Sequence, residues 1–191
     1  KRSSIFWRGG SHFVETLSNP RAQVACQGVN NTAVFDTGFA DPPHNTSVLL
    51  RHCCRPFVPF NMTTGWKYLA VLDGHGYTER FKSFTASNSL IVWWQATDHY
   101  EFFYPGFRNG TNILIVKSLE GLASAVEWAR NHDQEAMLMA ERMKYFSDLV
   151  FHDDFIDCYL HTLLSEYAEM LSYRVVASED NSTYNPEEYV T

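Results

Sequence analysis

The sequence predicts an α/β fold built on a parallel sheet, and three observations carry that expectation. Tyr68-Leu69-Ala70-Val71-Leu72, Leu90-Ile91-Val92-Trp93-Trp94 and Ile113-Leu114-Ile115-Val116 are short apolar runs without polar alternation. Strands covered on both faces read this way, and such strands belong to parallel sheets. Segments of helical period intervene, giving the order strand, helix, strand, connection, strand, helix. Asp73-Gly74 then stops the first run immediately before a helical segment, as a strand-to-helix turn would.

Taken in order, Ser3 to Trp7 reads as a short strand broken by Gly9-Gly10. Residues 18–65 hold Pro20, Pro42, Pro43, Pro56 and Pro59, five of the seven prolines, and read as loop with a short helix or two. Thr78 to Ser87 reads as a helix with Thr78 as its N-cap. Two long helices are expected to end the fold. In Leu119–Leu149, Leu122, Val126, Ala129, Ala136, Ala140 and Met143 share a face, with Met137, Met139 and Met143 as core filler. In Asp154–Leu171, Ile156, Tyr159, Leu160, Leu163, Leu164, Tyr167 and Leu171 keep the same period. The segment 177–191 carries four acids and no base and reads as a solvated tail, leaving 1–176 as the folded unit.

The chain has 191 residues, 45% of them apolar and 15% aromatic, enough for one domain or one lobe of a larger protein. This excludes collagen-like, coiled-coil and wholly disordered classes. A formal charge of −7 without any basic block argues against nucleic acid as a partner. No stretch reaches the roughly 20 apolar residues of a spanning helix. Any membrane anchor would have to lie upstream.

Five N-x-[ST] sequons occur, at Asn30, Asn45, Asn61, Asn109 and Asn181. Eleven Asn and 28 Ser or Thr in this length would give about 1.6 by chance. The excess points to a glycosylating lumen, the ER or Golgi. A lumenal chain that opens at Lys1 without a leader reads as the C-terminal part of something longer. Cys26, Cys53, Cys54 and Cys158 suit that oxidising compartment and allow three pairings, although neighbours such as Cys53 and Cys54 rarely bond each other. His52, Cys53 and Cys54 lack the spaced pairs of a zinc site, so no metal is expected.

The chemistry concentrates in Leu72-Asp73-Gly74-His75-Gly76-Tyr77-Thr78-Glu79-Arg80-Phe81. Two glycines allow close approach of the backbone, a helix start offers N–H groups, and Thr78 and Arg80 add a hydroxyl and a guanidinium. Trp7-Arg8-Gly9-Gly10-Ser11 offers a second strand-end arginine beside glycines and a hydroxyl. Two readings stand at this point. Either these segments together cradle a diphosphate, or the first is a tight turn carrying a surface arginine. Neither a Walker loop nor a G-x-G-x-x-G motif is present.

The run Asp73 to Phe81, with Lys67-Tyr-Leu69 before it and Ala86-Ser-Asn-Ser-Leu90 after it, resembles glycosyltransferase family 90, which contains protein O-glucosyltransferases and capsule-associated xylosyltransferase-like proteins. The resemblance extends to Phe6-Trp-Arg-Gly9, Phe35-Asp-Thr-Gly-Phe-Ala-Asp41, Glu101-Phe-Phe-Tyr-Pro105, Ala140-Glu-Arg142, Asp157-Cys-Tyr159 and Leu164-Ser-Glu-Tyr167, in order up to Val176. The Asp73-Gly74 pair is more similar to fungal members than to the animal enzymes, which tend to have Arg-Gly there.

The resemblance implies the Rossmann-like, donor-binding lobe of a two-lobed GT-B enzyme. It implies transfer of glucose or xylose from a UDP-sugar to a hydroxyl of a protein or glycan acceptor, with no obligatory metal or other cofactor. Inversion is implied for the xylosyl case and for a glucosyl case that starts from an α-linked donor. Arg8 and Arg80 would hold the diphosphate, helped by Ser11 and Thr78; Asp73, Gly74, Gly76 and Tyr77 would line the nucleotide, with Phe81 in support. Asp153-Asp154 then reads as charge at a helix start and not as a metal ligand. The catalytic base would lie upstream of Lys1, so His12, His75 and Glu101 are not assigned that role, and this portion alone would not turn over substrate. Cys158 matches a family cysteine whose partner would also lie upstream. A binding-only relative and a secreted structural protein are the competing classes; the latter predicts no nucleotide binding.

Overall fold

Five strands pair in parallel as a single sheet in the computed structural model, which describes residues 1–12, 14, 16–41, 46–74, 78–96 and 100–173. In chain order they are β1 (Arg2–Gly9), β2 (Phe35–Phe39), β3 (Trp66–Leu72), β4 (Leu90–Trp94) and β5 (Leu114–Val116). Their spatial order is β2-β1-β3-β4-β5. The helices are α1 (Pro20–Asn30), α2 (Arg80–Thr85), α3 (Leu119–Asn131), α4 (Asp133–Val150) and α5 (Asp153–Met170), with 3-10 turns at Val48–Cys53, Phe60–Gly65 and Tyr104–Gly106.

Because side chains alternate across a strand, the continuous apolar runs feed two cores. Ile5, Trp7, Tyr68, Ala70, Leu72, Leu90, Val92 and Trp94 join a cluster with Val24 and Ala25 of α1 and Leu122, Val126 and Ala129 of α3. Phe6, Leu69, Val71, Ile91 and Trp93 face the other way, into a cluster with Phe81 and Phe84 of α2, Phe103, Tyr104 and Phe107, and Met143 of α4. The sheet is therefore sandwiched between helical layers, as expected.

The region read as loop contains α1 and β2. Asn19 caps α1 by accepting from Arg21 N at 2.9 Å, with Pro20 in the first turn where its missing N–H costs nothing. Phe35-Asp-Thr-Gly-Phe is short and mixes strand formers with Asp36 and Gly38, which disfavour strands. It forms β2 because β1 offers a parallel edge in register, Ile5 to Phe35 through Gly9 to Phe39. The helix anticipated over Leu119–Leu149 is two helices. The backbone leaves the helical region at His132 (φ −127°, ψ 53°), whose ring stacks on Trp128 at 5.1 Å. Apolar periodicity survives this break because Leu122, Val126, Ala129, Ala136, Ala140 and Met143 are all buried. Three helices, not two, thus end the described chain.

Cys26 and Cys53 form a disulfide that staples α1 to the 3-10 turn before Cys54. Cys54 and Cys158 are free thiols. Residues Lys1–His152 form one unit; α5 belongs to a second, from Asp153 onward. Taken by itself, α5 buries none of its residues, and Leu160, Leu163, Leu164 and Tyr167 are all exposed. The acidic segment 177–191 lies outside the described residues. Among the described residues, no helix is long and apolar enough to cross a membrane.

Candidate functional site

With β1 and β3 adjacent at the centre, the chain leaves β1 toward β2 on one side and β3 toward β4 on the other. A sheet wound in this way opens a crevice beyond the carboxyl ends of those two strands, where ligands of such folds bind. Gly9 ends β1 and Gly74 follows β3. A Cβ at Gly9 would strike the Trp7 indole and come within 3.1 Å of Arg21 Nη2, and one at Gly74 would lie 3.9 Å from Arg21 Nη1. The Arg21 guanidinium thus spans the two strand ends, 5.7 Å from the Trp7 ring centroid. Arg80, at the start of α2, donates from Nη1 to the carbonyl of Arg8, the second-to-last residue of β1.

These two cations share a single environment. Burial pulls the Arg80 guanidinium below its ordinary pKa, and the positive charge of Arg21 adds to that. Burial likewise lowers Arg21, with the Asp41 carboxylate opposing it. Arg21 also sits in the first turn of a helix, next to the positive end of its dipole, with no acidic residue in that turn. Desolvation, like charge and dipole all disfavour a cation here, and an arriving anion would offset their combined cost.

Arg21 lies outside the motifs that the sequence points to. The Asn19-Pro20-Arg21 capping pattern could have indicated it, because a basic residue just inside a helix start opposes the dipole. Arg8, which was singled out, is engaged elsewhere. Its guanidinium donates to Asp36 Oδ1 at 2.7 Å, to the Asp36 carbonyl at 2.8 Å and to the Trp7 and Pro56 carbonyls, and its side chain is 10% exposed. In this structure the Arg8 side chain is thus committed to the pairing of β1 with β2. Only its carbonyl meets the crevice, through Arg80.

The remaining expectations divide. Ser11 is buried, its hydroxyl 3.2 Å from Thr46 Oγ1 and its N–H bonded to Asp41, so its hydroxyl is already engaged. Asp73 is buried and accepts from Trp93 Nε1 at 3.1 Å and Ala96 N at 3.0 Å, tying the end of β3 to β4. Phe81 is fully buried, with ring centroids of Trp93 and Phe107 at 5.0 Å and Tyr104 at 5.3 Å. It anchors α2 from below and does not face a ligand. Thr78 is half-buried and is not the N-cap, since α2 begins at Arg80 with Glu79 in the cap position and no side-chain bond. At six residues α2 is too short for its dipole to dominate, leaving the arginines as the main source of positive charge. Gly76 and Tyr77, with His75, lie outside the described residues.

Two polar groups sit near the far end of this edge. Glu101 Oε1 and the Tyr104 hydroxyl are buried and have no hydrogen-bond partner among the described residues. Lys82 Nζ lies 3.8 Å from the other Glu101 oxygen. Burial drives the Tyr104 pKa well above that of an ordinary tyrosine, reinforced by the negative charges of Glu101 and Asp73. Cys26, His52 and Cys53 bring their donor atoms within 4.8 Å of one another, but both sulfurs are committed to the disulfide.

Comparison with known proteins agrees with the motifs. The sequence model of Glycosyl transferase family 90 matches residues 1–190. Protein O-glucosyltransferase 2 of Danio rerio is 29% identical over 172 residues, covering 86% of this chain and 32% of the relative. Protein O-glucosyltransferase 1 of Homo sapiens is 33% identical over 111 residues, 58% of this chain and 28% of the relative. The mouse protein of the same name is 29% identical over 215 residues, 92% of this chain and 55% of the relative. The chain therefore spans about a third to a half of the relatives' length. With the family model matched along almost its entire length, the chain belongs to glycosyltransferase family 90.

Proposed function

We propose that this chain is the donor-binding lobe of a UDP-sugar-dependent O-glycosyltransferase of GT-B architecture, acting in the lumen of the ER or Golgi on a protein or glycan hydroxyl. The transferred sugar is glucose or xylose, and no metal or other cofactor takes part. The single observation that carries this reading is the convergence of Arg21 and Arg80 at the β1/β3 crevice, two desolvated cations of which, among the described residues, Arg21 alone has a carboxylate, Asp41, opposing the effect of burial. A diphosphate has the charge and span to bridge them, and arginine presents its donors in a fork suited to phosphate oxygens.

The chemistry follows from charge. As the acceptor oxygen bonds to the anomeric carbon, the bond from that carbon to the diphosphate breaks and negative charge accumulates on UDP. Guanidinium groups already fixed in a water-poor crevice stabilise that developing charge without reorganising. The acceptor's proton goes to a base that the family resemblance places upstream of Lys1, so turnover requires the longer polypeptide.

Calorimetric titration of the full-length protein with UDP tests this. Arg21→Ala and Arg80→Ala should each weaken UDP binding by about ten- to a hundredfold, the equivalent of a lost charged hydrogen bond of roughly 1.5–3 kcal/mol. Unchanged affinity in both variants would remove the phosphate assignment. Arg8→Ala serves as the contrast: it should lower stability while the fraction that folds binds UDP.

A further inference from the structure

Parallel strands all begin at one edge of the sheet and end at the other, so the connections divide into two sets. Arg21 and Arg80 stand at the carboxyl edge, beyond Gly9 and Leu72. Three of the five sequons, at Asn30, Asn61 and Asn109, fall at the opposite edge, and Asn45 and Asn181 lie outside the described residues. Asn30 is the last residue of α1, just before β2. Asn61 lies in the 3-10 turn that leads directly into β3. Asn109 precedes β5 and pairs with Ile113 in an isolated bridge, its Oδ1 accepting from Ile115 N at 2.8 Å. All three asparagines are exposed. The Asn109 bond uses only the amide oxygen, so Nδ2 is left to take a substituent.

We propose that Asn30, Asn61 and Asn109 carry N-linked glycans that decorate the amino edge of the sheet and leave the carboxyl edge, with its arginine pair, open to donor and acceptor. Each attachment replaces one Nδ2 hydrogen. Nδ2 bonds to the anomeric carbon of a lipid diphosphate-linked oligosaccharide, the bond from that carbon to the diphosphate breaks, and the lipid diphosphate leaves while the nitrogen's proton passes to solvent. The acceptor motif N-x-[ST] is complete at all three, through Thr32, Thr63 and Thr111. A bulky, hydrated glycan is tolerated where its asparagine is at the surface. Here the surface in question lies at the far ends of the strands from the site. This rests on the lumenal residence proposed above.

The test uses the full-length protein, expressed from its native coding sequence in a eukaryotic cell. Peptide-N-glycosidase F in heavy-oxygen water converts each glycosylated Asn to labelled Asp, which peptide mass spectrometry locates. Labelled Asp at positions 30, 61 and 109 is the expected result. Unlabelled Asn at any of the three in most molecules overturns the inference. If only Asn45 or Asn181 is labelled, the lumenal reading stands and this inference fails; if no sequon is labelled, both fail. A second measurement tests the separation of edges. The triple variant Asn30→Gln, Asn61→Gln, Asn109→Gln should bind UDP within about twofold of the parent, as distant sites do. If that variant folds poorly, Thr32→Ala with Thr111→Ala removes two sequons without touching Thr63, whose hydroxyl bonds the Phe60 carbonyl at 2.7 Å. A tenfold change in affinity in whichever variant folds would overturn the claim that the glycans stand clear of the crevice.

Discussion

Asp36 collects Arg8 at 2.7 Å, the Trp66 indole N–H at 3.1 Å and Arg2 at 3.6 Å, and so joins β1, β2 and β3 through a single carboxylate. Arg8→Ala would leave Asp36 partly buried without its main partner, a loss of about 3 kcal/mol for a broken buried pair. Denaturant titration reads this directly, with Asp36→Asn expected to cost a similar amount. Tyr104 makes the opposite prediction. Its hydroxyl is buried without a partner among the described residues, so Tyr104→Phe should preserve stability at pH 7 or raise it by about 1 kcal/mol. Because folding raises the Tyr104 pKa, its ionisation favours the unfolded chain, so the parent's stability is unaffected below the unfolded value of about 10 and falls as pH rises beyond it. The midpoint of unfolding in Tyr104→Phe should therefore fall less steeply above about pH 10 than in the parent.

At the scale of elements, α1 is the part on which the site depends. It presents Arg21 and is fixed at several places. Asn19 caps its start, Thr37 Oγ1 bonds the Val24 carbonyl at 2.5 Å, Arg55 bonds the Gly28 carbonyl at 2.7 Å, and Cys26 is bonded to Cys53. The disulfide closes a loop of 27 residues, which corresponds to roughly 3.5 kcal/mol of restricted unfolded-chain entropy. Cys26→Ser with Cys53→Ser should lower stability by about that amount or less, measured against the oxidised parent by chemical denaturation. Gly28 is the tighter constraint. Any Cβ there would collide with the Thr37 carbonyl, so Gly28→Ala must push α1 off β2 and carry Arg21 with it. Reduced UDP affinity in that variant, with Arg80 untouched, is the expected signature. On the other face Phe81 holds α2, and Phe81→Ala should cost about 3–5 kcal/mol, the usual range for an emptied aromatic site.

For the whole molecule, ligand and fold are linked by mass action. UDP at a hundred times its dissociation constant should stabilise the protein by about 2.7 kcal/mol, read as a rise in thermal midpoint. That rise should vanish in Arg21→Ala with Arg80→Ala and survive in the glycosylation-site variants.

Sheet strands and helical periods were readable from residue patterns alone, because burial on two faces leaves a continuous apolar run and burial on one face leaves a 3.6-residue repeat. That is why β3, β4 and β5, and the buried faces of α3 and α4, match their expected positions. The Asp73–Phe81 motif likewise falls where β3 has ended at Leu72 and α2 begins at Arg80. What the order of residues could not convey was the choice between Arg8 and Arg21. Both are long and cationic. The outcome turns on Asp36, which reaches Arg8 only because β2 pairs with β1 in the register that sets Asp36 opposite Phe6. Long-range pairing decides that Arg8 is neutralised inside the protein, and no local pattern encodes a contact between residues that only the folded sheet brings together.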